Sequence, residues 1–172
     1  MNNLLIKPES PAEQEAIWMI HRAAFGRSAE ADLVNAIRNA GQMTLSLVAR
    51  SKEMPVGHIL YSPVSLETNP QHYRVWGLGP IAVLPEYQRQ GVGRQLIKTS
   101  LEQCKGFGVD TVVLLGHTSY YPKFGFEPAS RYGLKFKGED FGDAFMVLEL
   151  RKGALASLAG AVHYVPAFDE SV

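Results

Sequence analysis

Residues 83–97 read VLPEYQRQGVGRQLI. An apolar run closes at Pro85, polar residues follow, and Gly91 and Gly93 stand a single residue apart where a helical pattern begins. Glycine weakens a helix by about 1 kcal/mol relative to alanine, so glycines at a helix start need a reason. Two reasons fit these residues. A helix N-terminus presents unpaired N–H groups and the positive end of the dipole, and a turn without side-chain bulk lets phosphate oxygens reach them. Arg89 and Arg94 add positive charge beside that turn. Alternatively, the glycines only allow a strand and a helix to pack tightly. The stretch itself leaves both readings open.

Working outward, YRVWGLGPIAVLP (73–85) reads as a strand with Gly77, Gly79 and Pro80 inside it. Proline cannot donate to a ladder, so Pro80 marks an edge or a bulge. On the other side, Val92, Leu96, Ser100, Leu101 and Cys104 fall on one helical face, with Lys98, Glu102 and Lys105 opposite. TVVLLG (111–116) is a continuous apolar run, as expected of a buried parallel strand. Residues 73–116 therefore form a β-α-β unit.

Upstream, LLIK (4–7) reads as a strand, and Ser10-Pro11-Ala12-Glu13 has capping-box spacing. A helix follows to Phe25 and stops at Gly26, and Ser28 is placed to cap a second one that closes at Gly41. TLSLVAR (44–50) alternates with period two, and VGHILYSPVSLE (56–67) reads as a longer strand bent near Pro63. His21 and His58 lie in these periodic segments and read as ordinary packed residues. Downstream, TSYYPKFGF forms a short helix or turn, and AFMVLELR (144–151) is the last clear strand. Residues 1–172 read as one domain, with 151–172 an apolar extension that caps the sheet or folds over an acceptor site. In the second case Tyr164 and Phe168 would shape the acceptor pocket.

Composition narrows the function classes. The 172 residues are 46% hydrophobic and 20% charged, as in a soluble globular protein. The 17 basic residues balance 17 acidic ones, which argues against general affinity for nucleic acid or an anionic membrane. No stretch approaches the roughly 20 apolar residues of a membrane span, and the opening MNNLLIKPES lacks the apolar segment of a secretory leader. One cysteine, Cys104, excludes an intrachain disulfide, so a cytoplasmic location is expected. No metal-ligand spacing is present.

Other phosphate loops fit poorly. No GxxxxGK[ST] occurs, and Leu96 stands where a dinucleotide fingerprint opening at Gly91 needs its third glycine. Gly77-Leu78-Gly79-Pro80-Ile81-Ala82 spells GxGxxA, but strand residues follow it and Pro80 lacks the N–H that a cradle needs. By contrast, Gln88-Arg89-Gln90-Gly91-Val92-Gly93 resembles the [QR]-x-x-G-x-[GA] acetyl-CoA signature of the GNAT superfamily of N-acetyltransferases. Val83-Leu84-Pro85-Glu86-Tyr87 supplies that family's lead-in, and Tyr121-Pro122-Lys123-Phe124-Gly125-Phe126 its downstream Y-x-x-x-G-F landmark. GHTSYYPKFGF and GALASLAGAVHYVPAF are similar to a small bacterial group within it, the YhbS-like acetyltransferases.

This resemblance implies an α/β (α+β) fold of the GNAT type. Its central sheet would be mixed, mostly antiparallel, of about six to seven strands with a splayed parallel pair, flanked by about four helices. It implies acetyl-CoA as the acetyl donor, with no metal. The backbone of Ile81, Ala82 and Val83 would pair with the pantetheine arm, and Gln88, Arg89, Gln90, Gly91, Val92, Gly93 and Arg94 would hold the pyrophosphate. The Gly79-Pro80 irregularity would open the splay. Tyr121 matches the tyrosine that often protonates the leaving thiolate in that family. An alkyl amine with a pKa near 10.4 is neutral in only about one molecule in 2,500 at pH 7, an obstacle of roughly 4.6 kcal/mol. A base, or a site that lowers the amine pKa, must offset that. Many relatives carry a glutamate on the strand before the loop, but 73–83 contains no acid. Glu67, His72 and His117 are the nearest options; His117, just after the second cleft strand, has the most suggestive position, and a water relay is the open alternative. The acceptor is a small-molecule amine or a protein amine, and the chain is a monomer or a homodimer. The alternative to an enzyme is a non-catalytic acyl-CoA-binding sensor.

Overall fold

The computed structural model describes residues 3–170. The chain divides into two compact units: Met1–Ser62 with Gly79–Glu102 and Val165–Val172, and Pro63–Leu78 with Gln103–Tyr164.

The first unit opens with β1 (Leu4–Pro8). The capping box is present: the Glu13 carboxylate accepts from the Ser10 N–H at 2.9 Å and from its hydroxyl at 3.1 Å. A 3-10 turn, Pro11–Glu13, leads into α1 (Gln14–Phe25), which ends at Gly26 with φ +70°. In α2 (Ala29–Asn39) the expected Ser28 side-chain cap is not made. Ser28 is already helical (φ −91°, ψ −10°), whereas a capping side chain needs extended backbone beneath it.

β2 (Leu45–Ser51) pairs antiparallel with β1 and with β3 (Met54–Pro63). The expected in-out alternation of β2 is absent, because Leu45 through Ala49 are all buried. Both faces of this part of the sheet are covered. Val48 and Leu60 pack with Ile17, Leu33, Val34 and Ile37 of α1 and α2. On the other face a Cβ at Gly57 would lie 3.0 Å from Val92 and from Leu96 of α3 (Val92–Gly106), and 3.4 Å from the Ala82 carbonyl. Glycine at 57 thus lets α3 lie against the strands, and Tyr61 meets Ser100 there, hydroxyl to hydroxyl, at 2.8 Å. The buried face of α3 carries the expected Val92, Leu96, Ser100, Leu101 and Cys104, joined by Ile97.

β5 (Val75–Val83) runs through both units. In the second, its first residues form a parallel ladder, Val75–Gly77 against Thr111–Val113 of β6 (Thr111–Leu115). β6 pairs antiparallel with β9 (Phe145–Glu149), and β9 with β7 (Glu127–Pro128). The larger sheet has seven strands in the order β1-β2-β3-β5-β6-β9-β7. Pro80 therefore lies in an interior strand and not at an edge; the Gly79–Pro80 peptide is cis and Gly79 has φ +144°.

The single bent strand expected over 56–67 is two strands in two sheets. β3 stops at Pro63, and β4 (Ser65–Thr68) joins a separate sheet, β4-β10-β8, with β8 (Leu134–Phe136) and β10 (Ala159–His163). Three α-helices are present among the described residues, and the fourth helical position is a 3-10 turn, Tyr121–Phe124. The tail supplies β10, after which Val165 and Phe168 pack with the α1–α2 cluster of the first unit. Tyr164 packs in the second unit, 5.1 Å from the Phe136 ring, and a Cβ at Gly77 would lie 2.8 Å from it. Tyr164 and Phe168 are thus core residues of different units. Residues 171 and 172 lie outside the described part.

Candidate functional site

In the first unit, the turn between β5 and α3 is built from its own side chains. A 3-10 turn, Pro85–Tyr87, ends the strand, and the Gln88 N–H donates to the Pro85 carbonyl. The Gln88 side chain reaches back to the Val83 carbonyl at 2.9 Å, and that of Gln90 to the Glu86 carbonyl at 2.9 Å. Both side-chain amides brace the loop, so their donors are engaged with the chain itself. Arg89 (φ +61°) and Gly91 (φ +89°) take left-handed backbone. The first helical bond runs from the Gln95 N–H to the Gly91 carbonyl at 3.0 Å. By helix geometry, the N–H groups of Val92, Gly93 and Arg94 have no acceptor within α3.

Gly91 decides between the two readings of the glycines at that position. A Cβ there would meet nothing within 4 Å, so close packing is not what keeps position 91 small. What the position requires is left-handed backbone beside open space. The Arg89 and Arg94 side chains are exposed around it, while Val92 is buried and anchors the helix start. Upstream, Ala82 is buried and Ile81 and Val83 are half-buried.

In the second unit, Tyr121 opens the 3-10 turn, which Gly125 closes with φ +97°. Its ring is 8% exposed and packs edge-on to Tyr120 at 5.2 Å and Phe126 at 6.0 Å. It also lies over the backbone at the end of β6, where a Cβ on Gly116 would come within 2.7 Å of its Cδ2. Gly116 thus makes the seat for Tyr121, a role the sequence did not disclose because the partners meet only when the chain turns back. Burial, then the neighbouring Tyr120, pushes the phenol up to about 12, so Tyr121 keeps its proton at any physiological pH.

His117 has an exposed side chain. Its carbonyl accepts from the Tyr120 N–H at 3.1 Å and the Tyr121 N–H at 3.4 Å, so it fixes the turn that presents Tyr121. Of the other base options, one is engaged in a strand contact and the other is exposed. The Glu67 carboxylate accepts from the Ala161 N–H at 3.0 Å and ties β4 to β10. His72 is exposed in the turn before β5. Among the described residues no group of three or more His, Cys, Asp or Glu is arranged to hold a metal ion. Among the described residues no helix is long and apolar enough to cross a membrane.

Comparison with known proteins places this arrangement. The family model of the acetyltransferase (GNAT) domain matches residues 6–129. The chain is 35% identical over 162 residues to the uncharacterized N-acetyltransferase YhbS of Escherichia coli K12, covering 94% of this chain and 96% of that protein. Its fold is similar to the crystal structure of E. coli YhbS in complex with CoA, with TM-score 0.88 and 33% identity, covering 97% of this chain and 92% of that one. It is also similar to a GNAT family acetyltransferase from Brucella melitensis in complex with acetyl-CoA, with TM-score 0.80 and 33% identity, covering 98% and 100%. The strand–turn–helix with its left-handed glycine, the Tyr121 turn and these matches together make the chain a member of the GNAT family of N-acetyltransferases.

Proposed function

We propose that the chain moves an acetyl group from acetyl-CoA to a primary amine, by direct attack while both are bound. The observation that carries this reading is the turn from Arg89 to Arg94, with open space over a left-handed Gly91 and helix N–H groups lacking an internal acceptor. CoA and acetyl-CoA bound to two relatives of similar fold support it. Backbone amides from Arg89 through Arg94 would receive the pyrophosphate, with the two guanidinium groups offsetting its charge. The backbone of β5 at Ile81, Ala82 and Val83 would pair with the pantetheine amides as an added strand does.

When bound, acetyl-CoA supplies an activated thioester carbonyl; the chain's task is protonic. One proton must leave the amine nitrogen and one must reach the departing sulfur. Tyr121 is proposed as the general acid at the sulfur. A phenol near 12 facing a thiol near 8.5 makes full transfer uphill by roughly 4.8 kcal/mol. Tyr121 therefore serves first as a hydrogen-bond donor, releasing its proton only as another replaces it. His117, or solvent, takes the proton of the amine. The acceptor is a small-molecule or protein amine. The test is release of CoA thiol in the presence of a panel of primary amines and lysine peptides. Amine-dependent thiol release supports transfer. Saturable acetyl-CoA binding with no release across the panel would instead favour a binding sensor.

A further inference from the structure

The layer between α1–α2 and the sheet of the first unit contains polar groups that the acetyl-transfer reading does not use. His21 of α1 and His58 of β3 are each 0% exposed. His21 Nε2 and His58 Nδ1 lie 2.8 Å apart, and His58 Nε2 lies 2.7 Å from the Ser46 hydroxyl of β2. That hydroxyl donates in a short bond to Glu9. Glu9 is held in turn by Arg38 of α2, through Nε at 2.8 Å and Nη2 at 3.1 Å.

The direction of every proton follows from the end of this chain. Burial raises the Glu9 carboxyl, but His58, Arg38 and Ser46 together outweigh it and hold it at about 2, so Glu9 stays ionised. An ionised carboxylate only accepts, so the Ser46 proton points at Glu9. Ser46 then has no proton left for His58, so His58 Nε2 carries one and donates to Ser46. His58 Nδ1 is bare and accepts from His21 Nε2–H. His21 Nδ1 is therefore bare as well, and it is buried without a hydrogen-bond partner.

Now add one proton. If it stays on His21, Nδ1 carries it. If it sits on His58, whose Nδ1–H then donates to His21 Nε2, the His21 proton must move to Nδ1. If it passes down the chain to Glu9, every donor reverses and Nδ1 again ends protonated. Each singly protonated form thus leaves an N–H on His21 Nδ1 aimed at no acceptor, inside a packed layer. A buried unsatisfied donor is costly, and more so beside a buried charge.

We propose that the His21–His58 pair is an acid-sensitive latch: uptake of one proton below neutral pH drives α1 off β2 and β3, so that His21 Nδ1 can reach water. The charged groups facing the pair are Glu9, Arg38 from α2, and Glu13, which is itself paired with Arg50 of β2. Arg38 opposes protonation, and Glu9 and Glu13 favour it at His58. Burial outweighs them and holds both imidazoles below the ordinary value, so the latch is closed at neutral pH. The Phe25 ring lies parallel to His21 at 6.1 Å, at the end of α1 that would lift.

Amide hydrogen exchange of the full chain, followed by mass spectrometry between pH 7.5 and 5.5 and corrected for intrinsic rates, tests this. Protection over α1 is expected to fall by up to about tenfold per pH unit below about 6.5, while α3 keeps its protection. In His21→Gln the α1 profile is expected to be flat with pH. Flat wild-type protection, equal loss in α3, or a wild-type slope in His21→Gln would overturn the latch. Imidazole nitrogen shifts of the wild-type protein at pH 7 are an independent check that needs no variant. Neutral rings with both protons on Nε2 are expected, and a proton on His21 Nδ1 at that pH would overturn the assignment.

Discussion

Replacing Gly91 with alanine separates a binding role from a packing role, because the two costs differ in size and in where they appear. The added Cβ meets nothing within 4 Å, so no packing term enters. The remaining folding cost is left-handed backbone: φ is +89°, which is worth about 1–2 kcal/mol for a residue with a Cβ. Alanine recovers about 0.4–1 kcal/mol by restricting the unfolded chain, so the net loss is no more than about 1.6 kcal/mol. For a chain of this length that lowers Tm by no more than about 6 °C. Binding is affected differently, since in the proposed cradle the methyl would stand where phosphate oxygens approach. Losing even two charge-assisted hydrogen bonds at about 1.5–3 kcal/mol each removes 3 kcal/mol or more. That weakens acetyl-CoA affinity by about a hundredfold or more. The assays are thermal unfolding and calorimetric titration of the same preparation. A variant that melts close to wild type and binds acetyl-CoA within about threefold of it would refute the cradle, since that ratio is under 1 kcal/mol.

Further outcomes follow from the same geometry. Tyr121→Phe keeps the ring on Gly116 and removes only the hydroxyl, so kcat should fall by about a hundredfold with acetyl-CoA affinity unchanged; unchanged kcat would remove Tyr121 as the acid. Because the Tyr121 phenol lies near 12, kcat in the wild type should show no loss at pH 10 from this group, and a falling limb centred there that vanishes in Tyr121→Phe would contradict the assignment. Gly57→Ala places a methyl 3.0 Å from Val92 and Leu96 and should cost about 1–3 kcal/mol of stability by pushing on α3, read as a lower Tm. Folded His21 and His58 sit below their unfolded value near 6.5, so stability is complete above that pH and falls as pH drops. Stability in denaturant titrations should therefore fall between pH 7.5 and 5.5, and His21→Gln should reduce that fall. The Glu9 contribution lies lower, being lost as pH falls from 4.5 towards 2.

Local signals in the sequence, the unmade Ser28 cap excepted, were dependable where the structure depends on neighbours along the chain. Ser10 and Glu13 are three residues apart and bond as their spacing suggests. Gly26 and Gly125 end their turns because only left-handed backbone fits there. The buried face of α3 could be listed from its period alone. Pairings between distant segments left no such trace. Nothing near Ser65 marks it as a partner of His163, so β4 looked like the end of β3. Nor does the tail announce that β10 lies parallel to β8. The period of β2 misled because both of its faces are covered, and period two reports only a sheet with one wet side. The same limit applies to the candidate site. The turn at Gly91 is continuous in sequence and was legible. The seat of Tyr121 on Gly116 and the meeting of His21 with His58, 37 positions apart, arise from chain return.

The most direct test of the central claim is calorimetric titration of the wild-type protein with acetyl-CoA, with ATP for comparison. The account predicts saturable binding at one site per chain, tighter for acetyl-CoA than for ATP. No binding up to about millimolar concentration, a ceiling near −4 kcal/mol, would contradict it.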